Sequence, residues 1–239
     1  MTINRLRQRF SNVDRRIAIA GLVLAGSTLL LAIGLISIVI AANDNDVDLP
    51  HEGSLEEILD EHEGVTSQGV IAQPRVPPVR LSIPRINVDA PTVEMGLDSR
   101  DYPEVPDSGS DVAWYGFTST PGRGSNTVFS GHVDWIYWEM ALEGVFYHLR
   151  ELQLGDEITV QTEDGASHLY RVTGNVAVGY DDPNVVDVME PTTKDVITLV
   201  TCGGSWIKDY SAVGGNYSHR VIVRAERVVD LASGEASGG

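Results

Sequence analysis

A run of 26 uncharged, mostly aliphatic residues at positions 17–42 constrains this chain more than any other feature. A helix rises about 1.5 Å per residue and the hydrocarbon core of a bilayer is about 30 Å thick, so roughly 20 such residues span it. Arg5, Arg7, Arg9, Arg15 and Arg16 precede the run with one acidic residue among them, and Asp44, Asp46 and Asp48 follow it. Excess basic charge marks the cytoplasmic side, which predicts an N-terminus inside the cell and residues 43–239 outside it. A cleaved signal peptide is the alternative, but the run exceeds the roughly 7–15 residues of a usual signal core. Either way the remainder is exported. The expected organisation is a cytoplasmic basic segment (1–16), a single-pass transmembrane signal-anchor helix (17–42), an acidic extracellular linker (43–78), a compact domain (79–230) and a Gly/Ser/Ala-rich tail expected to be disordered (231–239).

Charge narrows the partners. The chain carries 17 basic and 34 acidic residues. With five Arg and one Asp in the first sixteen positions, 12 basic and 33 acidic residues remain beyond residue 42, a net of −21. Nucleic-acid binders present a basic face, so that partner class is excluded. The acidic loop around Asp181, Asp182 and Asp187 lacks the regular oxygen-ligand spacing of a calcium site. No required metal or other cofactor is expected.

In the linker, Ser54-Leu-Glu-Glu57 has the form of a capping box, with Leu55, Ile58 and Leu59 on one face of a short helix. Such a helix could cover a cleft or simply pack on the surface. From Val79 the texture changes to short strands separated by turn signals. Val79, Leu81 and Ile83 alternate, residues 127–132 form a strand, and Glu163-Asp-Gly165 is a hairpin signal between two more. Residues 143–152 carry Val145, Phe146, Leu149 and Leu152 at helical spacing. Residues 196–202 read as a strongly apolar strand, 203–217 as a Gly-rich loop and 218–229 as a last strand. The fold class is therefore mainly β: a closed barrel of about seven or eight strands with one or two short helices, since closure removes exposed edges.

The chain has one cysteine, Cys202. A lone thiol in an exported domain is either a small buried core residue or a reactive group. It falls at the end of the apolar strand, and Arg220 falls near the start of the next. If these two strands pair antiparallel, thiol and guanidinium are neighbours despite 17 intervening residues. A thiol, an imidazole and a guanidinium at strand ends suit a nucleophile, a proton carrier and an oxyanion donor. Spacing alone leaves the imidazole open between His132 and His219. His219 adjoins Arg220, but adjacent strand residues point to opposite faces.

Residues 81–91 (Leu-Ser-Ile-Pro-Arg-Ile-Asn-Val-Asp-Ala-Pro), the segment Asn126-Thr-Val-Phe-Ser-Gly-His132, the motif Thr198-Leu-Val-Thr-Cys202 and Arg220 opening Arg-Val-Ile-Val223 resemble the sortase family. Phe146 to Asp156 resembles the family's helix-and-turn segment in the right order between them. The likeness runs from about Val79 to Val229, and Gly203-Gly204 after the cysteine resembles class F members most. The resemblance implies a sortase-type barrel and a membrane-bound cysteine transpeptidase, a thiol protease in the broad sense. Its partners would be C-terminal sorting signals of the LPXTG type and an amine acceptor of the cell wall or a pilin. By position, Cys202 would attack a backbone carbonyl, His132 would protonate the leaving amine, and Arg220 would hold the oxyanion or the substrate backbone. Thr201, Trp135 and Trp206 would contact substrate.

Two other classes remain. One is a different cell-envelope cysteine transpeptidase or peptidase, although the Ser-His-Gly-Cys type of motif is missing. The other is a non-catalytic envelope-binding barrel with a buried cysteine. The acidity of the domain adds a physical demand. Negative charge disfavours a thiolate, so Arg220 and a protonated His132 would have to offset it.

Overall fold

The computed structural model describes residues 49–59, 75–137, 140–208 and 215–229. The basic segment, the apolar run, Trp138 and the C-terminal tail lie outside the described residues. All the described residues fall in the unit of residues 47–239.

Alternation builds the sheet. In β8 (Glu157–Thr162) Ile158, Val160 and Thr162 are buried while Glu157 and Gln161 face solvent, and β2 (Pro78–Ile83) buries Leu81 and Ile83. With β3 (Val88–Met95), β4 (Val112–Tyr115), β5 (Asn126–Ser130), β9 (Ser167–Gly179), β10 (Val196–Lys208) and β11 (Gly215–Arg227), they form one sheet. Its order is β8-β2-β3-β4-β5-β10-β11-β9. The β9–β8 pairing closes it into an eight-stranded barrel. Leu81, Ile83, Trp114, Phe129, Phe146, Ile158, Tyr170, Ile197 and Leu199 fill the interior. Each such side chain is worth about 1.5–3 kcal/mol of apolar burial.

The runs Ile197 to Leu199 and Val221 to Ala225 are buried on both faces, polar Thr198 and charged Arg224 included. One face is the barrel interior. Over the other lies a second layer. There, Ile222, Val176 and Val178 pack against Leu55 and Ile58 of the N-terminal segment and Val188 of the 3₁₀ turn Val185–Met189. The short strand β1 (His51–Glu52) adds in parallel to the edge of β9 that β8 leaves free. Helix α1 (Glu56–Leu59) follows, with the Ser54 hydroxyl accepting from the Glu56 N–H at 3.2 Å and Glu57 Oε1 reaching back to the Ser54 N–H at 3.5 Å. The sequence signature of a capped helix is therefore met, and the helix packs on the barrel.

Three expectations are corrected. Residues 143–152 are not a helix: Glu143 ends the hairpin strand β7 (Met140–Glu143), a turn follows, and only Leu149–Glu151 is 3₁₀. The spacing of buried Phe146, Leu149 and Leu152 with partly buried Val145 is met by that turn plugging the barrel end, where Phe146 N–H donates to the His132 carbonyl at 3.0 Å. Second, the stretch after Cys202 is no loop at its start. β10 runs on to Lys208 and β11 begins at Gly215, with a register shift between Gly203 and Trp206. Third, His132 does not end a strand: β5 stops at Ser130.

Candidate active site

The parity of three neighbouring strands builds the site. On β10, Thr198, Val200 and Cys202 share one face. Register places Arg224, Ile222 and Arg220 of β11 directly opposite them. β5 lies parallel on the other edge of β10, with Val200 beside Ser130, so the chain leaves β5 next to Cys202. Gly131 N–H donates to the Val200 carbonyl at 3.2 Å and Thr201 Oγ1 donates to the Gly131 carbonyl at 2.8 Å. These two bonds fix where His132 emerges. Thr201 is itself buried, so its hydroxyl is committed to holding that junction.

Cys202, His132, Arg220 and Thr201 all line one cleft of about 540 Å³. Its walls are largely apolar: Tyr102, Val105, Tyr180, Val186, Val188 and Met189 contribute. Arg220 is held from behind. Its Nη1 donates to the Tyr217 and His219 carbonyls at 3.3 and 2.9 Å, its Nη2 donates to Asn216 Oδ1 at 3.0 Å, and the guanidinium stands 5.9 Å from the Tyr180 ring centre. His132 Nε2 is paired with the Pro106 carbonyl at 2.8 Å and its ring meets Trp135 at 4.9 Å. A carbonyl only accepts, so a neutral ring in this contact carries its proton on Nε2 and has Nδ1 as its acceptor nitrogen.

Burial pushes the Cys202 thiol up, the Arg220 guanidinium pulls it down, and the Asp134 carboxylate pushes it up again. The balance lies above the ordinary value, so the resting group is the neutral thiol. Asp134, on β6 (Asp134–Tyr137), accepts from the Tyr217 hydroxyl at 2.7 Å, and Tyr217 in turn is pushed up by burial and by that carboxylate. Desolvation is the largest of these effects on the thiol.

The structure brings Cys202, Arg220 and His132 to one cleft and leaves His219 off it. His219 lies outside the cleft, with Nδ1 at 2.8 Å from Ser218 Oγ and Nε2 at 3.8 Å from Glu52. Neither Trp135 nor Trp206 lines the cleft. Trp206 is 45% exposed and meets Tyr217 edge-on at 5.2 Å. Residues that the sequence reading passed over are Pro106, Asn216, Tyr180, Asp134 and the turn Val185–Met189. Only Asp134, two positions after His132, carried a signal that could have been used.

The arrangement suits nucleophilic acyl transfer: a thiol in an apolar cleft, an imidazole on the same cleft and a fixed cation across the strand pair. No curated protein matches the chain. Among solved structures it is similar to a lid mutant of sortase A from Corynebacterium diphtheriae (24% identity over 69% of this chain and 77% of that one, TM-score 0.46). It is also similar to a sortase D5 transpeptidase from Clostridium perfringens (23%, 63% and 78%, 0.44) and to sortase A from Listeria monocytogenes (18%, 65% and 89%, 0.46). Residues 81–228, more than half the chain, match the Sortase domain family model, and the chain belongs to the sortase family.

Proposed function

We propose that this protein is a membrane-anchored sortase that cleaves a C-terminal sorting signal of the LPXTG type and transfers the new carboxyl end to an amine of the cell envelope. The observation that carries the proposal is the cross-strand pairing of Cys202 with Arg220 on the same apolar cleft as His132. An extended peptide laid in that cleft presents its carbonyl to Sγ. The apolar walls suit the Leu-Pro part of such a signal.

The thiol starts neutral, so peptide binding must accompany its deprotonation. His132, with Nε2–H on the Pro106 carbonyl, takes that proton at Nδ1 and returns it to the leaving amine. The C–S bond forms as the C–N bond breaks, leaving a thioester on Cys202. Arg220, its fork already oriented by three acceptors, donates toward the developing oxyanion or the peptide backbone. An envelope amine then attacks the thioester; water in its place gives slow hydrolysis. Residues 17–42 serve as the anchor, with the barrel outside the cell.

Turnover of a panel of Leu-Pro-x-Thr-Gly-type peptides by the full chain in detergent, with and without an added amine, tests this. Cleavage before the final Gly with an amine-dependent second product is expected, together with loss of both products in Cys202→Ala. Undiminished cleavage by Cys202→Ala would remove the mechanism.

A further inference from the structure

Asp134 burdens the reaction as described so far. Cys202 must become an anion to attack, and a carboxylate whose field reaches its sulfur makes that harder. The carboxylate is held in place: β6 carries it there two residues after His132, and the Tyr217 hydroxyl fixes one oxygen at 2.7 Å. It also lies off the peptide cleft, as do Tyr217, Trp135 and Trp206, while Arg220 and Asn216 line it. The two flanks of the sulfur thus differ in chemistry. The cleft flank is apolar and cationic. The other offers the Asp134 carboxylate on the Tyr217 hydroxyl, with the Trp206 ring edge-on to Tyr217 at 5.2 Å.

The second half of acyl transfer needs that difference. Once the acyl group fills the cleft, the amine must reach the thioester from elsewhere, and at neutral pH it arrives as an ammonium ion. Resting on the transpeptidase reading above, we infer that Asp134, with Tyr217 against it and Trp206 on Tyr217, is the docking site for the ammonium of the acceptor amine. A carboxylate gives a charge-assisted bond to a primary ammonium, and aromatic faces add cation–π attraction. The bound ammonium gives one proton to neutral His132, and its nitrogen attacks the thioester carbonyl. The C–N bond forms as the C–S bond breaks, and the departing sulfur takes the second proton. The products are an amide, a neutral thiol and an imidazolium that releases its proton to solvent.

Two measurements on the full chain in detergent test this. The first needs no acyl-enzyme. The probe is Gly-Gly-Gly-amide, which has one primary amine and no carboxylate, with its N-acetyl form as control. The free amine saturably slows iodoacetamide alkylation of Cys202; the acetylated form does not. Asp134→Asn keeps an acceptor for Tyr217 but removes the charge, and the half-protecting amine concentration rises roughly tenfold or more. Tyr217→Phe removes the hydroxyl and keeps the charge, and protection by the amine persists. The second measurement is the amine dependence of transfer, in which Asp134→Asn raises the amine KM by a similar factor while its thiol alkylates faster at pH 7 than wild type. Equal protection by the free and acetylated probes, or an unchanged half-protecting concentration and amine KM in Asp134→Asn, overturns the assignment. Loss of protection in Tyr217→Phe with none in Asp134→Asn assigns the carboxylate to holding the hairpin instead, which also overturns it. If the wild-type chain forms no acyl-enzyme, the transpeptidase reading itself fails, and the alkylation experiment still decides on ammonium docking.

Discussion

Arg220 and Arg224 stand four positions apart on the same face of the same strand, and their surroundings are opposite. Arg220 opens on the cleft, has acceptors at Tyr217, His219 and Asn216, and pulls the Cys202 thiol down. Arg224 lies under the turn Val185–Met189, only 4% exposed. Its one bond, from Nη2 to the Val188 carbonyl, is 3.5 Å long, and Nε and Nη1 have no partner among the described residues. Burial pushes it down to about 10. Below that value the group is charged in both folded and unfolded chains, so its desolvation cost is complete across the working pH range. The same side chain is thus a working charge at one end of β11 and a burden on the fold at the other. The cover over the outer face makes the difference, because the turn that walls the cleft at Val188 and Met189 also seals Arg224 from water.

The largest expected effect belongs to the open end. Arg220→Lys keeps the charge but loses the fork, and peptide turnover should fall by about 100-fold or more with an unchanged unfolding transition. Near-normal turnover would detach Arg220 from the chemistry. Second comes the polar support of the closed end. Asn126 donates to the Val188 and Glu190 carbonyls at 2.8 and 3.0 Å and accepts from Thr198 Oγ1 at 2.8 Å. Asn126→Ala leaves buried carbonyls unpaired and should cost about 2–3 kcal/mol in urea unfolding, with a raised peptide KM as the cleft wall loosens. Arg224→Met should act in the opposite sense, raising stability by about 1 kcal/mol or more because an unpaired buried charge gives way to an apolar chain. A clear loss of stability would show that the guanidinium is better satisfied than its contacts imply. The smallest effect is expected from Tyr180→Leu. Removing the ring beside Arg220 should cost about 0.5–1 kcal/mol of its positioning, a few-fold in turnover.

A pH experiment reads the same balance from the thiol side. Burial and Asp134 outweigh Arg220 at Cys202, so the thiolate fraction grows only above the ordinary thiol value of 9.0. Alkylation of the resting protein should therefore keep rising with pH beyond that point, and Arg220→Gln should move the curve higher still. A plateau near pH 7 would mean a resting thiolate.

Much of this was legible in the sequence for identifiable reasons. Strand parity and an antiparallel pairing are enough to place Cys202 opposite Arg220 and to turn His219 away, and both follow from the apolar runs on either side. The barrel class was legible from alternation. What failed was local. Val145, Phe146, Leu149 and Leu152 have helical spacing, but the need to plug the barrel end is met by a turn and a single 3₁₀ segment. The strand end assumed at Cys202 came from the glycines that follow, yet those glycines mark a register shift inside a continuing hairpin. The distal partners were invisible for a different reason. Pro106, Tyr180 and Val188 reach the site from loops whose paths are fixed by tertiary packing, and no periodicity in their own segments announces it.

The most direct test of the central claim, that Cys202 opposite Arg220 is the acylated nucleophile, is the intact mass of the full chain quenched in acid during turnover of a sorting-signal peptide without added amine. The account predicts one adduct equal to the mass of the peptide up to its Thr, mapped to Cys202, discharged by an added amine and missing in Cys202→Ala. Cleavage of the peptide with no adduct, or with an adduct mapped elsewhere, would contradict it.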